Sequence, residues 1–469
     1  MPERQRDVLS ELLQAVAERS RKLLRLPFGG EQELSAEALA EALLSTRGEA
    51  SGVALARALL QRWNAMGEEE RRAWFHHLAR ELGPERDELE SAVAAWVAEP
   101  SPAHAGRLHR AAEPRRQELF RRMNLAPGGT ATLVRMRAAL LAELAGAPEL
   151  APVDADFERL FASWFNRGFL VMKRIDWSSP ADILEKIIRY EAVHEIHGWA
   201  DLKGRLQPAD RRCFAFFHPQ IPEEPLVFVE VALTRGMPAK IAPLIAADRQ
   251  PIAEEEADTA VFYSISNTQD GLRGVSFGNF LIKQVVEELL REVPGLRHFV
   301  TLSPVPGFAA WLERQRGEDG ERRLPPELFA ALAEPGWHER PEQRDAVQPL
   351  LERAAAIYLL EAKARNGKPA DPVARFHLNN GAALERIDFC GDVSEKGLRQ
   401  SHGVMVNYLY DPAAIERNHE AYAHSGDVTA SAQVRRMLAL EEPGSLSRGL
   451  QALLPPRGSK AGAKKGAAR

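Results

Sequence analysis

"NTQDGLRGVSFGNFLIKQVVEELL", Asn267–Leu290, sets three glycines between a β-branched, aromatic run and a strongly periodic helix. The run before it, "TAVFYSIS" (Thr259–Ser266), reads as a strand, and so does "RHFVTLSP" (Arg297–Pro304) after it. Strand, loop, helix, strand is the order of a β-α-β unit, so this stretch places an α/β core in the second half of the chain. Gly271, Gly274 and Gly278 free backbone amides at the start of the helix, where those N–H groups and the helix dipole both favour a phosphate or pyrophosphate. The spacing is neither GxxxxGK[ST] nor GxGxxG, which argues against a Walker loop and a dinucleotide-binding turn. A plain tight turn is the alternative.

Upstream, "CFAFFHP" (Cys213–Pro219) and "PLVFVEVALT" (Pro225–Thr234) are two more strands. Before them "WSSPADILEKIIRYEAVH" predicts a helix with Ser179 as N-cap, Pro180 at its first position and Asp182 at N3. His194-Glu195-Ile196-His197 lacks the i,i+4 histidines of HExxH and an evident third ligand, so no metal is expected there.

From residue 1 to about 165 the apolar spacing is helical, beginning with Val8, Leu9, Leu12, Leu13 and Val16. "SAEALAEALLSTRG", "GVALARALLQRWNAM", "EEERRAWFHHLARELG" and "TATLVRMRAALLAELAG" continue it, with breakers such as Gly83-Pro84 between them. A helical bundle is predicted. His76 and His77 are adjacent and cannot offer both rings to one metal from one helix face. The apolar stripes fit either a bundle core or pairing with further copies, and a homo-oligomer is expected.

The 469 residues are 45% hydrophobic and 27% charged, enough for two or three globular domains. A net charge of −5 argues against nucleic acid or an anionic membrane as the main partner. Cys213 and Cys390 have no CxxC or ligand spacing, which fits a reducing compartment. No apolar h-region, no stretch of eighteen apolar residues and no terminal Ser-Lys-Leu is present, so the expected location is the cytoplasm. The tail "PPRGSKAGAKKGAAR", 455–469, is expected to be disordered.

"ARFHLNNGAALERI" (Ala374–Ile387) sets His377 in an apolar stretch before Asn379-Asn380-Gly381; on local pattern alone this is a core histidine satisfied by backbone. Together with "EPLVFVEVALT", "FYSISNTQDGLRGVSFGNFLIKQVV", "TLSPVPGFAAWL" and "GVMVNYLYDP", however, it resembles the malonyl-CoA decarboxylase family in order and spacing, over roughly residues 165 to 412. Arg273–Gly278 is also similar to the Q/R-x-x-G-x-G/A loop of the GNAT acyltransferase fold, with one extra residue between its glycines.

The resemblance implies an α+β chain: an N-terminal all-α helical bundle over 1–165, with oligomerisation as its expected role, then a GNAT-like α/β catalytic domain over 166–454 that binds malonyl-CoA. It implies release of carbon dioxide and acetyl-CoA without a metal or organic cofactor. The family's catalytic serine and histidine fall on Ser303 and His377. Its CoA-contacting loop falls on Arg273, Gly274, Val275, Ser276, Phe277, Gly278 and Asn279.

The chemistry agrees with those residue types. Losing the β-carboxylate sends its electrons into the thioester carbonyl, an adequate sink by itself. The enolate oxygen then needs donors, each worth about 3 to 4 kcal/mol when preorganised, and the α-carbon needs a proton. A histidine, with an ordinary pKa near 6.5, contributes roughly 10² to 10⁴ in rate by such transfer. Pro304 and Pro306 after Ser303 are expected to stop the strand ladder there. Asn379 and Tyr408 are candidate second donors or structural residues. A GNAT-type acyltransferase and a CoA-binding scaffold remain the competing functions.

Overall fold

Helix follows helix from Ala36 to Trp164 because apolar residues recur every three to four positions and caps break the run. The computed structural model describes residues 34–46, 48–275, 281–316, 324–365 and 367–438, with backbone only at Arg167. The N-terminal 33 residues, Ser276 to Asn279 of the glycine loop and the basic tail therefore lie outside the described residues. Contacts group the chain into two units, one of residues 1–173, 216–227 and 267–278, the other of 174–215, 228–266 and 279–469.

In the first unit the helices are α1 (Ala36–Ser45), α2 (Glu49–Ala65), α3 (Glu68–Arg80), α4 (Arg86–Ala98), α5 (Pro102–Ala111), α6 (Arg115–Asn124), α7 (Gly129–Glu143) and α8 (Ala151–Trp164). Ser35 caps α1, its Oγ accepting from Ala38 N at 3.2 Å. Trp74, Phe75, Phe120, Phe157 and Phe161 form the interior, with Phe120 stacked on Phe157 at 4.1 Å between centroids. One ionic pair is sealed in: Arg116 Nε donates to Asp156 Oδ2 at 2.6 Å and Gln117 Nε2 to Oδ1 at 2.5 Å. Satisfied on both oxygens, this carboxylate fixes the α6–α8 register.

The sheet has strand order β1-β2-β3-β4-β5-β8-β6, with β7 paired to β8. Its strands are β1 (Val171–Ile175), β2 (Arg211–His218), β3 (Ile221–Thr234), β4 (Thr259–Asn267), β5 (His298–Thr301), β6 (Ser303–Pro304), β7 (Ala383–Asp388) and β8 (Met405–Leu409). β4 and β5 are parallel from Thr259↔His298 to Phe262↔Thr301, as a β-α-β crossover demands, and α9 (Leu281–Glu292) is the intervening helix. Ala232, Val261, Tyr263, Val300, Leu302 and Met405 pack into one apolar cluster against them. Val285, Val286 and Leu289 bury the inner face of α9.

One local expectation needs correction. The helix α10 (Ala181–Tyr190) starts one residue later than read, with Pro180 at the N-cap and no side-chain cap bond. Ser179 Oγ instead accepts from Asp176 N at 3.0 Å, because the turn Asp176–Ser179 uses it first. The ladder does stop at the prolines: Ser303 and Pro304 pair antiparallel with Val406 and Met405 of β8, and β6 ends there. Proline lacks only the donor, and at a short edge strand the ladder tolerates that. No helix among the described residues is long and apolar enough to cross a membrane.

Candidate active site

β4 and β5 stop pairing after Phe262 and Thr301, and the chain passes from β5 to β6 by leaving β4 while keeping β8 as its partner. Leu302 N still donates to Phe262 O at 3.0 Å, so the parting begins one residue before Ser303. Thr301 and Ser303, two apart on extended chain, turn their hydroxyls the same way. Ser303 Oγ donates to Thr301 Oγ1 at 2.8 Å, and Tyr408 N donates to the same Oγ1 at 3.1 Å. Asn407 Nδ2 donates to the Thr301 carbonyl at 2.7 Å, pinning the break from behind.

His377 comes from α11 (Pro372–Asn379), a two-turn helix built by its own sequence. Asp371 caps it, Oδ1 accepting from Ala374 N at 2.8 Å, and Pro372 fits the first helical position. Gly381, at φ +80°, ends it: a Cβ there would collide with the Ile415 carbonyl, so the Asn-Asn-Gly turn before β7 needs glycine. Burial pushes Asp371 up to about 6, against the backbone N–H groups of Ala374, Val373 and Gly307. Gly307 follows Ser303 by four residues, so this carboxyl joins the two segments that carry the pair.

His377 Nε2 lies 3.0 Å from Ser303 Oγ, and its Nδ1 lies 2.8 Å from the Tyr410 hydroxyl. With the one Ser303 hydrogen directed at Thr301, the consistent tautomer carries its proton on Nε2: Tyr410 O–H donates to Nδ1 and Nε2–H donates to Ser303. The Tyr408 ring stacks on the imidazole at 4.6 Å, 25° from parallel. Ser303 and His377 are only 5% and 3% exposed, and with no charged partner in contact, burial pushes His377 down to about 3. Burial also holds the Tyr408 and Tyr410 phenols well above the usual range. The arrangement is neutral and buried, with a hydroxyl and an imidazole close enough to exchange a hydrogen.

Of the sequence candidates, the structure brings together Ser303, His377 and Tyr408. Tyr408 offers a ring face to His377, while Asn379 sits at the end of α11, its carbonyl accepting from His419 Nδ1 at 2.7 Å. Thr301 and Tyr410 were missed. The period of two was the available signal, since Thr301 shares a strand face with Ser303 and Tyr410 with Tyr408. In the glycine loop, Asp270–Leu272 form a 3₁₀ turn, Arg273 follows it, Gly274 has φ +84° and Val275 is buried. In the motif His194-Glu195-Ile196-His197, His194 is buried and pushed down to about 4 by that burial, whereas the His197 side chain is 76% exposed.

The comparisons agree with one another. A family model described as "Malonyl-CoA decarboxylase C-terminal domain" matches residues 168–447, and one described as "Malonyl-CoA decarboxylase N-terminal domain" matches 82–165. The mitochondrial malonyl-CoA decarboxylase of Anser anser anser is 38% identical over 349 residues, 68% of this chain and 69% of the relative. A crystal structure of malonyl-CoA decarboxylase from Rhodopseudomonas palustris is 57% identical with TM-score 0.82, covering 86% of this chain and 100% of that one. The corresponding structure from Agrobacterium vitis is 54% identical, also with TM-score 0.82, over 86% and 99%. The chain belongs to the malonyl-CoA decarboxylase family.

Proposed function

We propose that this chain converts malonyl-CoA to acetyl-CoA and carbon dioxide, with Ser303 and His377 as its catalytic pair. The observation that carries the reading is the 3.0 Å contact between Ser303 Oγ and His377 Nε2 in a buried, uncharged setting. The bond from the α-carbon to the carboxylate breaks, carbon dioxide leaves, and the electron pair enters the thioester carbonyl to give an enolate. The Ser303 hydroxyl and the His377 Nε2–H are the donors for that oxygen. The α-carbon then takes one proton from the pair, which regains it from bulk solvent, so one proton is consumed for each carbon dioxide released. A malonate carboxylate is poorly solvated in such a place, which favours loss of its charge as carbon dioxide. Its approach also pulls the imidazole pKa up from its low resting value, readying a proton for the α-carbon.

Arg273 to Asn279 is the proposed CoA-contacting segment, where a guanidinium and glycine-freed amides suit a pyrophosphate. No metal or organic cofactor enters the scheme. Residues 1–165 as a self-associating helical domain and 166–454 as the catalytic domain belong to the same proposal, supported by the abutting family-model matches at 165 and 168. Sedimentation of the full chain as a monomer would remove the first. Cytoplasmic placement is supported by the two buried free cysteines, and membrane or organelle fractionation tests it.

The decisive experiment follows acetyl-CoA and carbon dioxide from malonyl-CoA in the presence of a chelator. The wild type turns over, and Ser303→Ala and His377→Ala each lose about 10² to 10⁴ in kcat with unchanged circular dichroism. An undiminished rate in either variant sinks the pair. A folded wild type that binds CoA but makes no acetyl-CoA sinks the decarboxylase and favours acyl transfer to an amine.

A further inference from the structure

Arg137 lies in the middle of α7 and is 2% exposed, yet its guanidinium is engaged from two sides. Nε donates to Asp154 Oδ1 at 2.7 Å. Nη1 donates to two main-chain carbonyls, Gly271 at 3.0 Å and Arg273 at 2.8 Å. Burying a cation requires full compensation, and here part of it comes from a loop more than 130 residues away rather than from the bundle itself. The same loop presses against α7 directly: a Cβ on Gly271 would collide with the Val134 carbonyl oxygen. Residues 267–278 accordingly group with the N-terminal helices.

The contact controls orientation. Leu272 N donates to Gln269 O at 2.9 Å, Arg273 N to Asp270 O at 3.0 Å and Val275 N to Leu272 O at 3.0 Å, so the turn has little freedom of its own. The peptide bonds are trans, which sets each carbonyl opposite the next residue's N–H. With the Arg273 carbonyl held on Arg137, the Gly274 N–H therefore points away from α7. The left-handed φ of +84° at Gly274 is the sharp bend that follows.

We propose that Arg137, steadied by Asp154, is a positioning residue for coenzyme A recognition: by fixing the carbonyls of Gly271 and Arg273 it presets the Gly274 N–H and the backbone from which the Arg273 guanidinium extends. This rests on the reading of Arg273–Asn279 as the CoA-contacting loop. The helical bundle is then part of ligand recognition, and its effect reaches the nucleotide end of the substrate rather than the bond that breaks.

The test uses the full-length protein, CoA itself as the binding probe, and two substrates, malonyl-CoA and malonyl-pantetheine, which lacks the nucleotide. In Arg137→Gln the Kd for CoA and the KM for malonyl-CoA rise about ten- to a hundredfold, while kcat/KM for malonyl-pantetheine stays at the wild-type value. Asp154→Asn and Gly271→Ala disturb the same contact from its other sides and produce the same split; they carry the test if Arg137→Gln does not fold. Unchanged CoA affinity in a folded variant overturns the inference, as does an equal loss of kcat/KM on both substrates. A wild type that shows no preference for malonyl-CoA over malonyl-pantetheine overturns the loop reading itself, and the inference with it.

Discussion

Two buried polar clusters in the second unit are built on opposite electrical principles. Around His377 every partner is neutral: Ser303, Tyr410 and the stacked Tyr408. Around Glu191 and Glu230 the cluster instead carries charged side chains, Arg205 and Lys396. Glu191 Oε1 accepts from Ser264 Oγ, Val193 N and His194 N, each at 2.8 Å. Arg205 Nη1 donates to Glu230 Oε2 at 3.3 Å and to the His194 carbonyl at 2.7 Å, and its Nη2 to the Glu195 carbonyl at 2.9 Å. Lys396 Nζ adds bonds to the carbonyls of Ala192 and Val193 at 2.8 and 2.9 Å. The ionic groups spend their valence on backbone and lash down residues 191–195. The neutral groups bond side chain to side chain and keep hydrogens that can move. Charge serves as a tie in one cluster; in the other, its absence leaves proton chemistry possible.

The contrast breaks most visibly at Arg205. Arg205→Ala strands Glu230 and two carbonyls without their donor, and unfolding stability falls by about 3 to 5 kcal/mol, read as a lower denaturant midpoint. A loss under about 1 kcal/mol, the scale of an exposed pair, would dissolve the distinction. Tyr410→Phe attacks the neutral cluster more gently. It leaves His377 Nδ1 unsatisfied, so kcat drops roughly ten- to a hundredfold, and unfolding stability falls by about 1 to 3 kcal/mol, less than at Arg205. A Phe variant as active as wild type would show that the tyrosine does not orient the imidazole.

The smallest effect is in the pH dependence of stability, where the clusters have opposite signs. Burial pushes His377 down to about 3, so between there and its ordinary value near 6.5 the unfolded chain binds the proton that the native one refuses. That contribution is fully present above about 6.5 and is lost as pH falls. Burial and the neighbouring Glu191 push Glu230 up to about 8, against the pull of Arg205. Its contribution is present below the ordinary glutamate value and is lost as pH rises through about 8. Glu230→Gln therefore flattens the alkaline side of the stability profile and leaves the acid side unchanged. A variant with the same alkaline slope would mean that Glu230 is ionised in the native state.

How much of this could be read beforehand follows the same division. The β4-α9-β5 unit was legible because hydrophobic period and glycine punctuation are local, and Ser303 and His377 were legible because long motifs carry them. Thr301 and Tyr410 were within reach, each two residues from a named candidate, but the period of two was not counted along the strand that holds Thr301, and β8 had not been recognised as a strand. The ionic cluster was out of reach. Glu191, Arg205, Glu230 and Ser264 come from four elements, and nothing in any one segment signals the others. Ser179 failed for a smaller reason: two turns competed for one hydroxyl, and the nearer won.

The Arg137 contact also has a consequence for synthesis. The first unit draws on residues 216–227 and 267–278 as well as the N-terminal helices, and Arg137 donates two of its three hydrogen bonds to the carbonyls of Gly271 and Arg273. As the chain leaves the ribosome, the helices up to Trp164 emerge first but cannot complete their packing until residue 278 is out. The bundle must wait, with a cation in its interior only half matched, for a strand-to-helix loop made more than 130 residues later.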